Sequence, residues 1–293
     1  MFDIKGFSAA ADVQEAVRLL RADPDAVLIA GGTDVLIRVR EGRLSGVQLI
    51  SVHGLPALTG VRREADGTVV IGPATSFAAL TADPVIQAHL PWLGEAVSQV
   101  GGPQTRAVGT IGGNLCNGAT SADSAPCLLA LSAQLVLQSA DGTRTVPATA
   151  FHTGPGRTVR QRDEILTEIR IAPADYSGFA GCPIKYGKRA AMEIATLTCA
   201  AMIRLDTDKR TVSDLRLAFG VAAPTPIRCR AAEQTAQGQP LSRALLDTIA
   251  QTALTEVNPR SSWRASREFR MQLIAELAKR AVAEAACRAG GRF

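Results

Sequence analysis

One stretch of the chain reads Val27-Leu28-Ile29-Ala30-Gly31-Gly32-Thr33-Asp34, an apolar run that ends in paired glycines. The run at residues 26–30 predicts a short buried strand, and Gly31-Gly32 allows the backbone to turn sharply after it. Adjacent glycines also let consecutive backbone N–H groups face one concavity, which suits phosphate oxygens. We call residues 29–34 the first glycine loop and interpret it as a candidate phosphate site.

A second glycine loop, residues 109–114, reads Gly109-Thr110-Ile111-Gly112-Gly113-Asn114. Either loop alone is typical of an ordinary turn, whereas the two together favour a shared phosphate site. Each charge-assisted N–H bond to a phosphate contributes about 1.5–3 kcal/mol, so two such concavities closing on one pyrophosphate would hold it tightly. Neither loop matches Gly-x-Gly-x-x-Gly or Gly-x-x-x-x-Gly-Lys-[Ser/Thr], which argues against an ordinary NAD domain and a P-loop.

The segments around the loops predict an α+β chain. Apolar residues repeat at helical spacing from Val13 to Leu20, and Asp141-Gly142 is the signal of a two-residue β-hairpin turn. Residues 101–117 are rich in glycine and small polar side chains, which predicts a functional loop rather than a regular element. The other expected elements are strands at 47–50, 68–72, 134–140, 143–147, 165–171, 196–205 and 212–222, and helices at 77–80, 93–100, 241–254 and 265–289.

Composition and charge exclude several classes of protein. The 293 residues are 46% hydrophobic and 20% charged, which is typical of a packed globular protein. The net charge of +5 comes from scattered Lys and Arg, so we expect no nucleic-acid partner. We also expect no secretory signal and no membrane span, since no apolar stretch reaches about 18 residues. The cysteines and histidines show no metal-ligand spacing, which indicates reduced thiols in a cytoplasmic protein and no metal site in this chain.

Several segments together resemble one known family. Ala30 to Asp34, Thr110 to Asn114 and Asp123 are similar to the corresponding segments of molybdenum hydroxylase flavoprotein subunits. The resemblance extends over nearly the whole chain. The sequences of residues 117–125 and 223–229 look most like those of the bacterial xanthine dehydrogenase branch. The further matching segments are residues 151–156, 163–166, 185–195, 219–226 and 260–264.

The resemblance implies a two-part FAD-binding domain of the PCMH/vanillyl-alcohol oxidase type, followed by a smaller α+β C-terminal domain. We place the FAD-binding domain at residues 1–176, with its parts at about 1–55 and 56–176. Proline and glycine concentrate in residues 173–183, which indicates a domain boundary, and we place the C-terminal domain at residues 177–293.

The resemblance also implies roles for single residues. Residues 27–34 and 110–114 would cradle the FAD pyrophosphate and its sugars, and Asp123 would accept hydrogen bonds from ribose or ribityl hydroxyls. Leu166 would pack on the adenine side, and Lys185 would lie at the polar edge of the isoalloxazine, where a cation stabilises the anionic reduced flavin. The plain alternatives are a loop-capping Asp, a core Leu and a surface Lys.

Two expectations concern the segment before and within the second glycine loop. Family members often place an aromatic ring against the flavin from the preceding segment, but Ser98-Gln99-Val100-Gly101 contains none. Val100 is therefore the candidate for that contact. We also expect that replacing Gly112 or Gly113 with Val abolishes FAD binding while the chain stays folded.

The resemblance implies an electron relay without a catalytic residue in this chain. A molybdopterin-binding large subunit would hydroxylate the substrate, and [2Fe–2S] clusters in a small subunit would supply electrons to FAD here, with NAD⁺ as the acceptor. The xanthine dehydrogenase branch implies oxidation of hypoxanthine and xanthine to urate. The alternatives are a related molybdenum hydroxylase for aldehyde, CO or aromatic substrates, a stand-alone flavin oxidoreductase, and a non-catalytic scaffold or nucleic-acid binder.

Overall fold

A computed structural model describes residues 2–293 of the chain. It contains a three-stranded parallel sheet, a five-stranded antiparallel sheet, a four-stranded antiparallel sheet and a two-stranded ribbon, with helices between and around them. The predicted α+β class is confirmed. Among these residues, no helix combines the length and the apolar character that crossing a bilayer requires.

The parallel sheet forms the first layer and carries the first glycine loop. Asp12 caps the first helix, since its side chain accepts the backbone N–H of Glu15 at 2.8 Å. That helix buries its predicted apolar stripe on one side of the sheet, and Val39 packs on the other side. In chain order the elements are β1 (Ile4–Ala9), α1 (Val13–Ala22), β2 (Val27–Ile29), α2 (Val35–Arg40) and β3 (Val47–Ser51), with strand order β1-β3-β2.

The second layer is the five-stranded sheet, with helices inserted between its second and third strands along the chain. The predicted hairpin is confirmed, but its two turn residues are Ala140 and Asp141 rather than Asp141 and Gly142, because Gly142 already pairs with Ser139. Strand order is β4-β5-β10-β6-β7. The elements are β4 (Val61–Arg63), β5 (Val69–Ile71), α3 (Phe77–Ala82), α4 (Pro84–His89), α5 (Pro91–Ser98), α6 (Pro103–Val108), α7 (Ile111–Cys116), α8 (Ala125–Ala130), β6 (Gln134–Ser139), β7 (Gly142–Pro147), the ribbon β8 (His152–Gly154) and β9 (Arg157–Thr158), and β10 (Ile165–Ile171).

The prediction that residues 101–117 lack regular structure is wrong. This segment folds as α6 and α7, two helices of six residues each. Pro103 stands in the first turn of α6, where its missing N–H costs nothing, and the Thr110 side chain caps α7 by accepting the N–H of Gly113 at 3.1 Å. The helix-start signals of Pro103 and Thr110 outweigh the unfavourable effect of the glycines on helix formation.

The C-terminal residues form the four-stranded sheet and three helices on one of its faces. Side chains alternate along the strands, so Ala200 and Met202 join the core of the five-stranded layer while Ala201 and Ile203 face the C-terminal helices. The two parts therefore share an apolar interface, and the boundary at residue 176 stays a prediction. The elements are β11 (Ala180–Tyr186), β12 (Leu197–Leu205), β13 (Val212–Gly220), β14 (Ile227–Arg228), α9 (Arg230–Ala236), α10 (Arg243–Glu256) and α11 (Arg267–Arg288).

A buried arginine fastens α11 to the rest of this layer. Arg270 is 2% exposed, and its guanidinium donates to the backbone oxygen of Thr196 at 3.2 Å, to Ser262 Oγ at 2.9 Å and to the backbone oxygen of Arg260. Burial lowers the pKa of Arg270 from its ordinary value. The side chain thus joins the helix to the start of β12 and to the segment before the helix.

We expect the C-terminal layer to depend on the packing of α11. Leu277→Ala removes a buried side chain and should lower the free energy of unfolding by about 2–5 kcal/mol. Arg280→Ala, on the same helix, removes only an exposed i,i+4 ion pair and should cost less than about 1 kcal/mol. Urea denaturation of both variants checks this, and equal costs would contradict the assigned core.

Candidate functional site

The two glycine loops lie against each other. A Cβ built on Gly31 would be 1.7 Å from the carbonyl oxygen of Val108 and 3.1 Å from Gly109 Cα. No real side chain fits that gap, so the contact requires glycine. Gly32 is required for a second reason, since its φ of +72° lies in the left-handed region. Two loops that the sequence analysis predicted to share a site are thus in contact.

The first glycine loop carries backbone donors without protein acceptors. Val27 to Ile29 form β2, and Ala30 leads from the strand into the turn. Among the described residues, the amide N–H groups of residues 31–34 donate to no acceptor. The turn is partly open to solvent. Four neighbouring N–H groups are therefore without a protein acceptor, and their binding of an anionic ligand stays a prediction.

The second glycine loop differs from this prediction, because its amides are bonded within the protein. The idea that the glycine amides of this loop form a second phosphate concavity is therefore wrong, although the assignment of residues 110–114 to the cofactor site stays a prediction. The N–H of residue 111 donates to Thr75 O at 3.2 Å, and that of residue 112 donates to Pro73 O at 2.8 Å. The N–H of residue 113 donates to Thr110 Oγ1 at 3.1 Å, and that of residue 114 donates to Thr110 O at 3.0 Å.

The glycines of the second loop serve close packing. A Cβ on Gly112 would lie 2.3 Å from Pro73 Cβ and 2.7 Å from the Pro73 carbonyl oxygen, whereas a Cβ on Gly113 would meet only Thr110 Oγ1, at 2.9 Å. The expectation that Gly112→Val leaves the chain folded conflicts with the first contact. Asn114, on the next turn, accepts the Ser124 hydroxyl at 2.7 Å and is thereby oriented.

Asp123 and Lys185, to which the resemblance gave separate roles, form one ion pair. Lys185 Nζ lies 2.6 Å from Asp123 Oδ2 and 2.9 Å from the Gln99 carbonyl oxygen. The two side chains are 10% and 13% exposed. Burial raises the pKa of the Asp123 carboxyl from its ordinary value, and the Lys185 ammonium opposes that shift. The pair links β11 to the helical layer next to α8.

One oxygen of this pair has no partner. Asp123 Oδ1 is buried, and within residues 2–293 it accepts no hydrogen bond. A buried polar atom left unpaired costs about 1–3 kcal/mol. An ionised carboxylate only accepts hydrogen bonds, so this oxygen is suited to a hydroxyl donor from a ligand.

Two other predicted residues lie in the core. Val100 and Leu166 both belong to the main apolar cluster, and Leu166 pairs with Leu137 across β10 and β6. The Val100 carbonyl oxygen accepts the Arg106 guanidinium at 3.0 Å, which fixes the backbone before α6. Contacts of these two side chains with flavin and adenine stay predictions.

Sequence reasoning missed three residues that surround the site. Gln99 and Pro73 contribute backbone oxygens, to Lys185 and to the second loop. Met192, exposed and with a φ of +54°, donates its N–H to the Gly101 carbonyl oxygen at 3.2 Å. Every residue type has a backbone oxygen, so residue identity gave no signal for the first two. An apolar residue after a glycine-containing basic stretch was a weak signal for Met192.

Two family models match the chain. The model described as the FAD binding domain in molybdopterin dehydrogenase matches residues 2–174. The model described as the CO dehydrogenase flavoprotein C-terminal domain matches residues 184–285. The first match includes both glycine loops, and the second includes the end of β11 that carries Lys185.

Individual relatives agree with these models. The chain is 47% identical over 293 residues to the xanthine dehydrogenase FAD-binding subunit of Escherichia coli O157:H7, with all of both chains covered. It is 33% identical to the carbon monoxide dehydrogenase medium chain of Hydrogenophaga pseudoflava, over 94% of this chain and 95% of that one. A chain of the solved carbon monoxide dehydrogenase from Hydrogenophaga pseudoflava, which lacks the Mo-pyranopterin moiety, superimposes with a TM-score of 0.91 at 32% identity, covering 97% of each.

We expect Gly31→Ala to separate the loops. The new methyl group would occupy the place of the Val108 carbonyl oxygen, so FAD affinity should fall at least about tenfold and the free energy of unfolding by about 1–3 kcal/mol. Gly238→Ala is the control, because its φ of +72° strains alanine in open space away from the loops. Fluorescence titration with FAD checks both variants, and parental affinity in Gly31→Ala would contradict the account.

We expect Lys185→Met to lower the free energy of unfolding by an amount that depends on pH. The variant leaves Asp123 buried without its cation, which should cost about 3 kcal/mol at pH 7. The folded-state pKa of Asp123 then lies above its unfolded value of about 3.9, so the folded state takes up the proton and the deficit shrinks as pH falls towards about 4.

The matched controls separate charge from packing. In Lys185→Met/Asp123→Asn the loss of unfolding free energy should not become smaller as the pH falls. Lys279→Met removes an exposed ion pair with Asp247 and should change the free energy of unfolding little. Urea denaturation between pH 7 and pH 4 measures all three. A deficit in Lys185→Met that stays constant or grows on acidification would contradict a buried, ionised Asp123.

Proposed function

The chain belongs to the family of FAD binding domains in molybdopterin dehydrogenases, and from that premise we propose that it is the FAD-binding subunit of a molybdenum hydroxylase of the xanthine dehydrogenase type. The observation that carries this proposal is the first glycine loop, whose four free amides lie beside the glycine contact with the second loop. These amides would supply hydrogen-bond donors to an anion such as a pyrophosphate.

The residues present fit FAD. The amides of residues 31–34 suit the pyrophosphate, and the unpaired Asp123 Oδ1 suits a sugar or ribityl hydroxyl. Asn114, held by Ser124, adds an amide that donates as well as accepts. Amide donors and a hydroxyl acceptor are the two kinds of group that the phosphates and the sugar parts of the cofactor require.

The chain's own residues would bind and tune the cofactor and would not act on the substrate. FAD, when bound, supplies hydride and one-electron chemistry. The first glycine loop would hold its phosphates, residues 110–114 would line the cofactor site, and Asp123 would fix its hydroxyls. Lys185, kept in place by Asp123 and the Gln99 carbonyl oxygen, would provide a fixed cation that favours an anionic reduced ring. None of these residues serves as acid, base or nucleophile, in keeping with a relay of electrons.

The finer parts of the proposal concern partners, acceptor and substrate. A molybdopterin-binding large subunit and a [2Fe–2S] small subunit would supply electrons, and NAD⁺ would accept them in the cytoplasm. The higher identity to a relative named xanthine dehydrogenase than to one named carbon monoxide dehydrogenase, 47% against 33%, supports hypoxanthine and xanthine as substrates. The two family-model matches support an FAD-binding domain up to about residue 176 and a C-terminal domain after it.

The proposal is tested on the complex of this chain co-expressed with its two partner subunits. Xanthine added without oxygen should bleach the flavin absorption near about 450 nm, and NAD⁺ should restore it. Bleaching by an aldehyde or by CO but not by xanthine would show that the substrate is an aldehyde or CO and not a purine. Flavin that only oxygen reoxidises would remove NAD⁺ as acceptor, and flavin that reacts without partner subunits would favour a stand-alone oxidoreductase.

A further inference from the structure

A polar cavity lies where the C-terminal sheet meets the chain just after α8. Its volume is about 280 Å³, slightly below the range of about 300–1,000 Å³ that drug-sized ligands fill. We call it the arginine cavity, because its lining includes Arg216, Arg228 and Arg230, together with Ser132, Asp214 and Glu233. None of these residues belongs to the site that the proposed function assigns to FAD, so the cavity is a separate feature of the molecule.

Two of the arginines lie on the same face of the C-terminal sheet. Ala218 pairs with Arg228 across β13 and β14, and Arg216 precedes Ala218 by two residues, so side-chain alternation puts both arginines on one face. Ala218 belongs to the apolar core of the five-stranded layer, and this face is therefore buried against that layer. The side chains of Arg216 and Arg228 are only 10% and 6% exposed. Two guanidinium charges are thus held where little water can solvate them.

The nearby carboxylates use only part of these two guanidinium groups. Arg216 Nη1 donates to Asp175 Oδ1 at 2.9 Å, and Arg228 Nε donates to Glu233 Oε1 at 2.5 Å. Arg216 Nε is buried and donates to no acceptor among residues 2–293, since Asp214 Oδ2 is 3.7 Å away. Arg228 Nη2 likewise donates to no acceptor in that part of the chain. Donors in a poorly hydrated place are unfavourable without an acceptor, so both nitrogens are available to a ligand.

Ser132 lies between the two arginines and adds a third donor. Its Oγ accepts Arg216 Nη1 at 3.2 Å and Arg228 Nη1 at 2.9 Å. Arginine cannot accept a hydrogen bond, so the Ser132 hydroxyl proton is directed to neither guanidinium, and the described residues offer it no acceptor. Burial lowers the pKa of Arg228 from its ordinary value, Glu233 opposes that shift, and Arg230 and Arg216 add to it. An anion in the cavity would oppose the repulsion between these cations.

We propose that the arginine cavity binds a phosphate group, either as inorganic phosphate or as the phosphate of a small monoester. The free donors are Arg216 Nε, Arg228 Nη2 and the Ser132 hydroxyl, which belong to three separate side chains. Donors from separate side chains suit the oxygens of a tetrahedral anion better than the two coplanar oxygens of a carboxylate, which a single guanidinium binds. Bound phosphate would join the chain after α8 to β13 and β14, and so stabilise the contact between the two layers. The inference does not depend on the proposed function.

Calorimetric titration of the full chain with inorganic phosphate tests the site, with excess FAD present so that the first glycine loop is not available. The double variant Arg228→Met/Glu233→Gln removes a cation together with its carboxylate, so no buried charge is left unpaired. Its affinity for phosphate should fall at least about tenfold. Ser132→Ala, which removes one hydroxyl, should also weaken binding. Arg243→Met, which removes an exposed charge at the start of α10, is the control and should bind like the parent.

Two further ligands, glycerol phosphate and acetate, identify the class of anion. Saturable binding of inorganic phosphate that both cavity variants weaken supports the inference, and saturable binding of glycerol phosphate alone supports it with a monoester as the ligand. Acetate should bind at least about tenfold more weakly than phosphate, and equal affinity for acetate overturns a phosphate site. The inference is also overturned if neither phosphate compound binds the parent chain, or if both cavity variants bind with parental affinity.

Discussion

The approach of Gly31 to the carbonyl oxygen of Val108 is the contact on which the site depends. A single methyl group would fill that gap, so the turn after β2 reaches the helical layer only because residue 31 has no side chain. The contact brings a loop with four free amides against a loop whose amides are tied to Pro73, Thr75 and Thr110. The first loop thus offers hydrogen-bond donors, and the second loop, whose amides at residues 111–114 are bonded, packs against it.

The ion pair of Lys185 with Asp123 extends the site into the C-terminal layer. Lys185 stands on β11, and its two acceptors, Asp123 and the Gln99 carbonyl oxygen, belong to the helical layer. The desolvation of both charges opposes this arrangement, and their attraction offsets it only when the remaining polar atoms are bonded. Asp123 Oδ1 is not. The structure therefore contains an incomplete polar cluster that a hydroxyl-bearing ligand would complete.

Features with one local cause could be predicted from the sequence. The apolar repeat from Val13 to Leu20 predicted α1, and the Asp141-Gly142 signal predicted the β6–β7 hairpin. The helices α6 and α7 were missed because their glycine content obscured Pro103 and Thr110 as start signals. At the site, family resemblance selected Asp123 and Lys185, but their pairing across 62 residues is a tertiary contact that no spacing reveals. The bonds of two second-loop amides to Pro73 and Thr75 were hidden for the same reason, whereas the bonds to Thr110 are local to α7.

The central claim is that the free amides of the first glycine loop, joined to the second loop at Gly31, make this chain an FAD-binding protein. A visible absorption spectrum of the purified chain, taken after incubation with FAD and removal of the excess, tests it most directly. The account predicts bands near about 370 and 450 nm that move to the supernatant on acid denaturation. A featureless spectrum of the folded chain would contradict it and would leave both loops without a role in binding FAD.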